Sequence, residues 1–503
     1  MSDGRLKKIV IVGGGTAGWI AAAGLVNKLK QELIEVVLIE SDDIPTVGVG
    51  EATIPPMRAF LQSLGINERD FIQNTDASFK LGINFVDWYT KGDSYFHAFG
   101  KTGLVFNNHE FYRCWDRARM SGYQAKFTDF CPAVSMCEQG KFFREQDVSK
   151  ESFISGASYA YHFDAGLAAR YLRNYAEKRG VHRIEGKVAE VLKDKRGFIK
   201  SLKLSNGELI EGEFFIDCSG FKGILIEEAL ETGYEDWSEY LPCDRAITVQ
   251  TERLKDIPPY TVSAAKDSGW VWHIPLQNRM GNGYVFSSRF CDDDRALQTL
   301  LNALPNQKKT TEPKLIPFKT GVRKKIWNKN CLALGLSSGF LEPLESTAIH
   351  LVVKSLEVFM TMLPDCDNSD LLSKEFNRIM GQEYVNIRDF IVLHYCTTER
   401  QDSSFWNYCR TMKIPSSLRE KIALFRSRGL IFYNPYDLFK PISWYAIFEG
   451  MHVYPEKQDP LTELIDIQNM TSTLEQMKMK VAQTVRKLPS HRDYLNFYCP
   501  ASK

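Results

Sequence analysis

The chain has 503 residues, 44% of them hydrophobic, enough to bury one large core or two modest ones. Its 63 basic and 62 acidic residues nearly cancel, so composition gives no reason to expect a nucleic acid or an anionic membrane as partner. The 11 cysteines are scattered, with no CxxC pair and no Cys/His spacing of the zinc type, so we expect reduced thiols in a cytoplasmic protein and no metal site.

The N-terminal MSDGRLKK leads directly into an apolar strand without a signal-peptide core, and no window approaches 18 consecutive apolar residues. Residues 7–40 then read as one βαβ unit. KKIVIV is a buried strand, GGGTAGW a turn, AAAGLVNKLKQ a helix, and VVLIE a second buried strand ending in an acid. Short strands recur over residues 181–223 and end in FFIDCSG. A third strand-to-turn unit, CLALGLSSG at 331–339, precedes a helix expected over residues 344–360. Strand ends this far apart in sequence, if they share one sheet, imply a nucleotide-binding domain interrupted by insertions at about 80–175 and 235–325. Beyond Asn368 the pattern is mostly helical. We therefore expect a domain over 1–365 carrying both insertions, and a mostly helical substrate-binding or lid region over 366–503.

Gly13, Gly15 and Gly18 form GxGxxG directly after a strand and before a helix. The first glycine allows the tight turn, the second lets backbone approach a pyrophosphate, and the third lets helix pack on strand, with the helix N-terminus attracting phosphate. Glu40, 22 residues past Gly18, stands where an acid takes both ribose hydroxyls and argues against a 2′-phosphate. The second strand runs into SDDIPTVGVGEATIPP, a loop without a helix signal until after the prolines, where an NAD dehydrogenase continues with further βαβ units. FAD is the expected cofactor.

Three spaced motifs carry a resemblance. GVGEATIP at Gly48–Pro55, GWVWHIP at Gly269–Pro275 and LEPLEST at Leu341–Thr347 resemble the flavin-dependent halogenases typified by the tryptophan halogenases. The resemblance runs to about Gly450 and implies an α/β fold: a Rossmann-like, flavin-monooxygenase-type FAD domain with an inserted sheet and a helical substrate-binding subdomain. It implies that reduced FAD, O2 and chloride or bromide yield hypohalous acid, which travels inside the protein to a lysine beside an aromatic substrate. A separate NAD(P)H-dependent flavin reductase is the implied partner, and self-association as a homodimer stays open.

By the resemblance, Lys80 in ASFKLGINF is that lysine and Glu345 the glutamate that polarises the acid or accepts the ring proton. Thr347 and Ala348 match the halide position, where Ala348 replaces the family's glycine. Thr16, Ala17, Gly48, Val188, Leu336 and Ile349 are expected along FAD. Trp270, Trp272, Ile274 and Pro275 are expected to shape the space near the flavin, and His97 and Phe99 to stack on the substrate ring. The family's Tyr-Tyr, Glu and Phe-Trp anchors for free tryptophan have no clear counterpart in LFRSRGLIFYNPYDLFKPI, although Phe439 could stand for the Trp. Indole or an indole derivative is therefore preferred to free tryptophan. An FAD aromatic hydroxylase and a non-catalytic flavin-binding protein are the competing readings.

Overall fold

The computed structural model describes residues 5–29, 33–44, 50–106, 108–304, 308–365 and 370–501; Gly48, an expected cofactor contact, lies outside them. The strand Lys8–Val12 is apolar on both faces because it lies inside a parallel sheet, with Ile9, Val10 and Ile11 fully buried. The sheet order is Trp327–Asn328, Cys331–Ala333, Phe214–Asp217, Lys8–Val12, Glu35–Glu40, His182–Glu185. All neighbours pair in parallel except the Trp327–Asn328 edge. The three strand-to-turn units separated by hundreds of residues thus stand side by side, as the sequence implies.

The Thr16–Lys28 helix covers this sheet and packs against the helices Ala165–Glu177 and Ala348–Thr361. Gly24 is a contact point, where a Cβ would fall 2.4 Å from Leu356 Cδ2.

The two inserted stretches meet in one seven-stranded sheet. Gly82–Val86 and Ser94–Ala98 from the first join Thr261–Lys266, Gly269–Pro275, Arg279–Phe286, Arg245–Glu252 and Lys314–Pro317 from the second. Their junction is the parallel pairing of Ile83 with Thr261 through Val86 with Ala264. A small sheet of Glu51–Ala52, Ala160–Phe163 and Ser78–Lys80 bridges the two large ones.

The C-terminal part is helical: Asp370–Cys396, Ser404–Thr411, Ser416–Arg428, Pro441–Gly450, Ile467–Arg486 and His491–Tyr498. Every residue from Ile387 to Tyr395 is buried, so these roughly two and a half turns of helix run through the interior and can present polar groups inward on several sides. Among the described residues no helix is long and apolar enough to cross a membrane.

One boundary differs from the sequence reading. The helix expected from Leu344 begins at Ala348; Pro343–Glu345 form a 3-10 turn and Ser346 adopts a left-handed φ of 58°. Proline suits the first position of a turn, and the left-handed residue breaks the helical path before it can start. That reversal sends Glu345 and Ser346 in different directions.

Candidate active site

A cleft of about 1100 Å³ opens at the carboxyl ends of the parallel strands, just above the roughly 300–1,000 Å³ usual for small-molecule sites. Its walls are the segments that leave successive strands: Val12–Ala17, Glu40–Asp42, Gly186–Val188, Cys218–Gly220 and Gly335–Leu336. Of the expected cofactor residues, Gly13, Gly15, Thr16, Ala17, Glu40, Val188, Leu336 and Ile349 all line it.

The glycines perform distinct tasks. Gly13 has φ 110°, and a Cβ there would lie 2.3 Å from Cys218 O. Gly18 is buried away from the cleft, its Cα so close to Gly13 O that a Cβ would stand at 1.8 Å. A Cβ on Gly15 would meet nothing within 4 Å, because it would point into the open cleft at the start of the Thr16–Lys28 helix. Backbone N–H groups there face the space where phosphates would lie, and Arg170, Arg173, Lys187 and Lys222 add positive charge to the walls. This set of residues fits FAD.

Glu40 stands at its expected place, but not alone. Its Oε1 accepts from Arg183 Nε at 2.5 Å and Arg173 Nη1 at 3.3 Å, and its Oε2 from Trp19 Nε1 at 3.3 Å. These donors fix the carboxylate orientation. They also explain Gly14, where a Cβ would fall 1.5 Å from Glu40 Oε2.

Lys80 and Glu345 lie together in the interior, 0% and 1% exposed. Lys80 Nζ donates to Thr53 O at 3.0 Å and to Ser346 Oγ at 2.8 Å, and lies 5.3 Å from the centre of the Phe99 ring. Burial pushes the ammonium down from its ordinary value to about 7, and the Glu345 charge opposes the fall. Both hydrogen-bond partners are two residues from the cleft wall, Thr53 from Glu51 and Ser346 from Ala348. Two residues span at most about 7 Å of chain, so Lys80 stands just behind the wall of the cofactor cleft.

Glu345 binds an imidazole with each oxygen: His97 Nδ1 at 2.8 Å on Oε2 and His394 Nε2 at 3.0 Å on Oε1. Burial raises a carboxyl, yet the attraction of His97 and the hydrogen bonds from His394 and His97 outweigh it and hold Glu345 down at about 2. The carboxylate is an anion in a dry interior.

Aromatic faces surround the pair. His97 packs against Phe390 and Phe439 at 5.5 and 6.0 Å between ring centres, and those two phenyl rings stack at 3.8 Å and 14°. Trp444 meets Phe390 edge-on at 4.9 Å. Phe99, Ile54 and Leu438 pack together beside Lys80.

Thr347 is buried with no capping hydrogen bond from its side chain, and Ala348 begins the helix in the cleft wall. On the strand Gly269–Pro275, Trp270, Trp272 and Ile274 alternate onto one face. Trp270 Nε1 donates to Glu342 Oε2 at 2.9 Å, whereas Trp272 Nε1 has no partner among the described residues. Pro275 O accepts from Ser78 Oγ at 2.6 Å, tying this strand to the one that carries Lys80.

The comparisons with known proteins decide what this arrangement belongs to. The family model for tryptophan halogenase matches residues 8–466. This chain belongs to the tryptophan halogenase family. It is similar to the tryptophan 6-halogenase ThaL of Streptomyces albogriseolus, 32% identical with 98% of each chain covered. The solved flavin-dependent halogenase Xcc4156 from Xanthomonas campestris superposes with a TM-score of 0.95 at 41% identity, covering 99% of each chain. BrvH, a flavin-dependent halogenase from Brevundimonas sp. BAL3, gives 0.94 at 40%, covering 99% of this chain and 100% of its own. The chain is an enzyme, a flavin-dependent halogenase that uses FADH2, halide and O2.

In this halogenase the structure gathers Lys80, Glu345, His97, Phe99 and Phe439 at one place, and puts the glycine turn with Glu40 at another. Sequence reading missed Ser346, the hydroxyl on Lys80, and the His394 and Phe390 pair. These last two are four residues apart on one helix, a spacing that any buried helix face shows. Tyr95, bonded to His394 Nδ1 at 2.7 Å, reads in sequence only as a strand aromatic.

Proposed function

We propose that this halogenase acts on indole or an indole derivative, with Lys80 and Glu345 as its catalytic pair. The observation that carries the reading is a buried ammonium and an ionised carboxylate set among the faces of His97, Phe99, Phe390 and Phe439. Aromatic ring faces suit an electron-rich bicyclic substrate.

When bound, reduced FAD supplies with O2 the two-electron oxidation of halide: FADH2, O2, X⁻ and one proton give FAD, hypohalous acid and water. Gly13, Gly15, Thr16, Ala17, Glu40, Val188, Leu336 and Ile349 would hold the cofactor, and Thr347 with the Ala348 N–H the halide. Lys80 donates a hydrogen bond to the oxygen of hypohalous acid, which orients an otherwise indiscriminate oxidant toward one ring carbon. The ring takes the halogen as the O–X bond breaks, Lys80 gives a proton to the departing hydroxide to make water, and the ring proton passes to Glu345, from which Lys80 regains the proton it gave, leaving halogenated arene and water. Burial of both groups excludes the water that would scatter the oxidant.

Indole is preferred to free tryptophan because the charged groups near Phe439 are already engaged. Asp437 accepts from Asn386 Nδ2 at 2.6 Å and from the Asn434 N–H at 2.9 Å, and Lys440 Nζ donates to Pro435 O. Neither is offered to an amino-acid ammonium or carboxylate. We place the enzyme in the cytoplasm, supported by the free thiols of its described cysteines, and assign FAD reduction to a separate NAD(P)H-dependent reductase.

The test supplies the enzyme with such a reductase, NADH, FAD and chloride or bromide, and screens indole, tryptophan and phenols by mass spectrometry. Halogen isotope patterns on indoles are expected. Product from free tryptophan alone overturns the substrate assignment, and NADH oxidation by the enzyme without the reductase, coupled to hydroxylation, overturns the reaction.

A further inference from the structure

The strand Ser94–Ala98 reaches Glu345 twice. Tyr95 and His97 are two residues apart and so project from one face of the strand. His97 Nδ1 binds Glu345 Oε2 directly at 2.8 Å, and Tyr95 OH binds His394 Nδ1 at 2.7 Å. His394 Nε2 in turn binds Glu345 Oε1 at 3.0 Å. The four side chains form a hydrogen-bonded chain of three links, Tyr95 to His394 to Glu345 to His97, whose two ends stand on one strand.

We propose that Tyr95 and His394 are positioning residues that hold Glu345 ready to take a proton, by fixing His394 in the tautomer that carries its hydrogen on Nε2. The argument follows from donors and acceptors. An ionised Glu345 can only accept, so His394 Nε2 must bear the hydrogen between them. Burial lowers the His394 pKa, so the ring is neutral and its Nδ1 is an acceptor. Tyr95, buried and held far above its ordinary pKa by that burial, keeps its O–H and donates it to Nδ1. Each link has only one polarity that satisfies it.

The surroundings hold the ring in place. His394 stacks on Phe85 at 4.5 Å, meets Trp88 at 5.8 Å and Phe390 edge-on at 5.8 Å. Phe85 also stacks on Tyr95 at 5.0 Å, and Gly450 lets the tyrosine lie against a helix, since a Cβ there would fall 2.3 Å from Tyr95 Cγ. The charged and titratable groups that act on the ring are Glu345 and His97, while Lys80 acts on Glu345 and Asp93 on Tyr95. Of these Asp93 is paired with His452 at 2.9 Å. A triad in which a third group sets the tautomer of a histidine follows the same logic, with the carboxylate here as the acting group and not the support.

The proposal rests on Glu345 as proton acceptor, so its test includes a readout independent of turnover. Nitrogen-15 NMR of the whole chain, labelled at its nine histidines, assigns His394 by the signal lost in His394→Gln. Hydrogen on Nε2 is expected in the wild type, and a mixture of tautomers in Tyr95→Phe. With reductase, FAD, halide and indole, Tyr95→Phe is expected to lose roughly 3- to 10-fold in kcat with KM unchanged, the worth of one neutral hydrogen bond. His394→Asn is expected to lose roughly 10- to 100-fold, the worth of a bond to a charged group. His394→Gln, whose amide nitrogen reaches where Nε2 stood, recovers most of that loss. FAD titration of each variant checks its fold. Hydrogen on Nδ1 in the wild type, unchanged tautomers in Tyr95→Phe, or equal rates for the Gln and Asn variants each overturn the proposal. If the wild type halogenates no arene while the Nε2 form is seen, it is the functional reading that fails.

Discussion

Glu342 and Glu345 are three residues apart on one 3-10 turn, both buried, and both bound to neighbouring residues of one helix. Their charges differ. Glu345 meets two imidazoles, through His97 and His394, and is held at about 2. Glu342 meets only neutral donors, Trp270 Nε1 at 2.9 Å and Tyr395 OH at 2.6 Å, both on Oε2, and burial pushes it up to about 7. Its Oε1 has no hydrogen-bond partner among the described residues, so this oxygen lacks the donors that would stabilise a negative charge. A buried acid thus takes its charge from its neighbours and not from its residue type. One turn thus carries a carboxylate held charged and a second, far less acidic carboxyl that braces Trp270.

The sharpest way to break the catalytic half of this comparison is to remove its cation. Lys80→Ala is expected to lower halogenation roughly 1,000-fold or more, near the upper range for a positioned proton donor. FAD titration should be unchanged, because the lysine stands behind the cleft wall and not in it. Gly15→Val should do the opposite: the chain folds, since a Cβ there meets no atom, but titration shows no FAD binding. Normal FAD binding by that variant would remove the pyrophosphate from this turn.

Next in size is the direct contrast between the two acids. Glu345→Gln is expected to cost about 100-fold in kcat by deleting a base. Glu342→Gln, nearly isosteric with the protonated carboxyl, should stay within about threefold at pH 7. Equal losses measured under saturating halide and indole would erase the distinction.

The pH dependence tests the lysine. A Lys80 ammonium with its pKa lowered to about 7 is present below that pH and lost above it. If the charged form orients hypohalous acid, kcat falls about tenfold per unit above pH 7; a rate that rises there instead would mean that the free amine is the reactive form.

The smallest effect is on stability. Glu342 has its folded pKa raised above its unfolded value, so the folded state binds more protons between about 4.5 and about 7. Its influence on stability therefore turns unfavourable as pH rises through that window. Glu342→Gln should be more stable than wild type by on the order of 1–3 kcal/mol at pH 8 and show no such gain at pH 4.5, read by thermal unfolding. A gain that does not vary with pH would mean that Glu342 is ionised throughout.

Some parts of the molecule were legible because their chemistry is local. The glycine turn, the strand before it and the acid at Glu40 occupy one continuous stretch, within which Gly18 closes on Gly13 and Gly14 on Glu40. The motifs at Gly48–Pro55, Gly269–Pro275 and Leu341–Thr347 pointed to the family before any coordinate. Ser346 was harder to read: a serine after a glutamate suggests a helix cap, and only its left-handed backbone turns the hydroxyl to Lys80. The helix expected at Leu344 failed for the same reason.

The sequence by itself determined the dinucleotide turn and the strands on either side of its helix, because these depend on neighbours along the chain, and its resemblance to a family said which lysine and which glutamate to watch. Tertiary structure alone decided that Glu345 is held as an anion while Glu342 is pushed up to about 7, and that Tyr95 and His394 stand behind the first. Charge in a dry interior depends on which dipoles and cations lie within a few ångströms. Those come from a strand near residue 95 and a helix near residue 394, which only folding brings together.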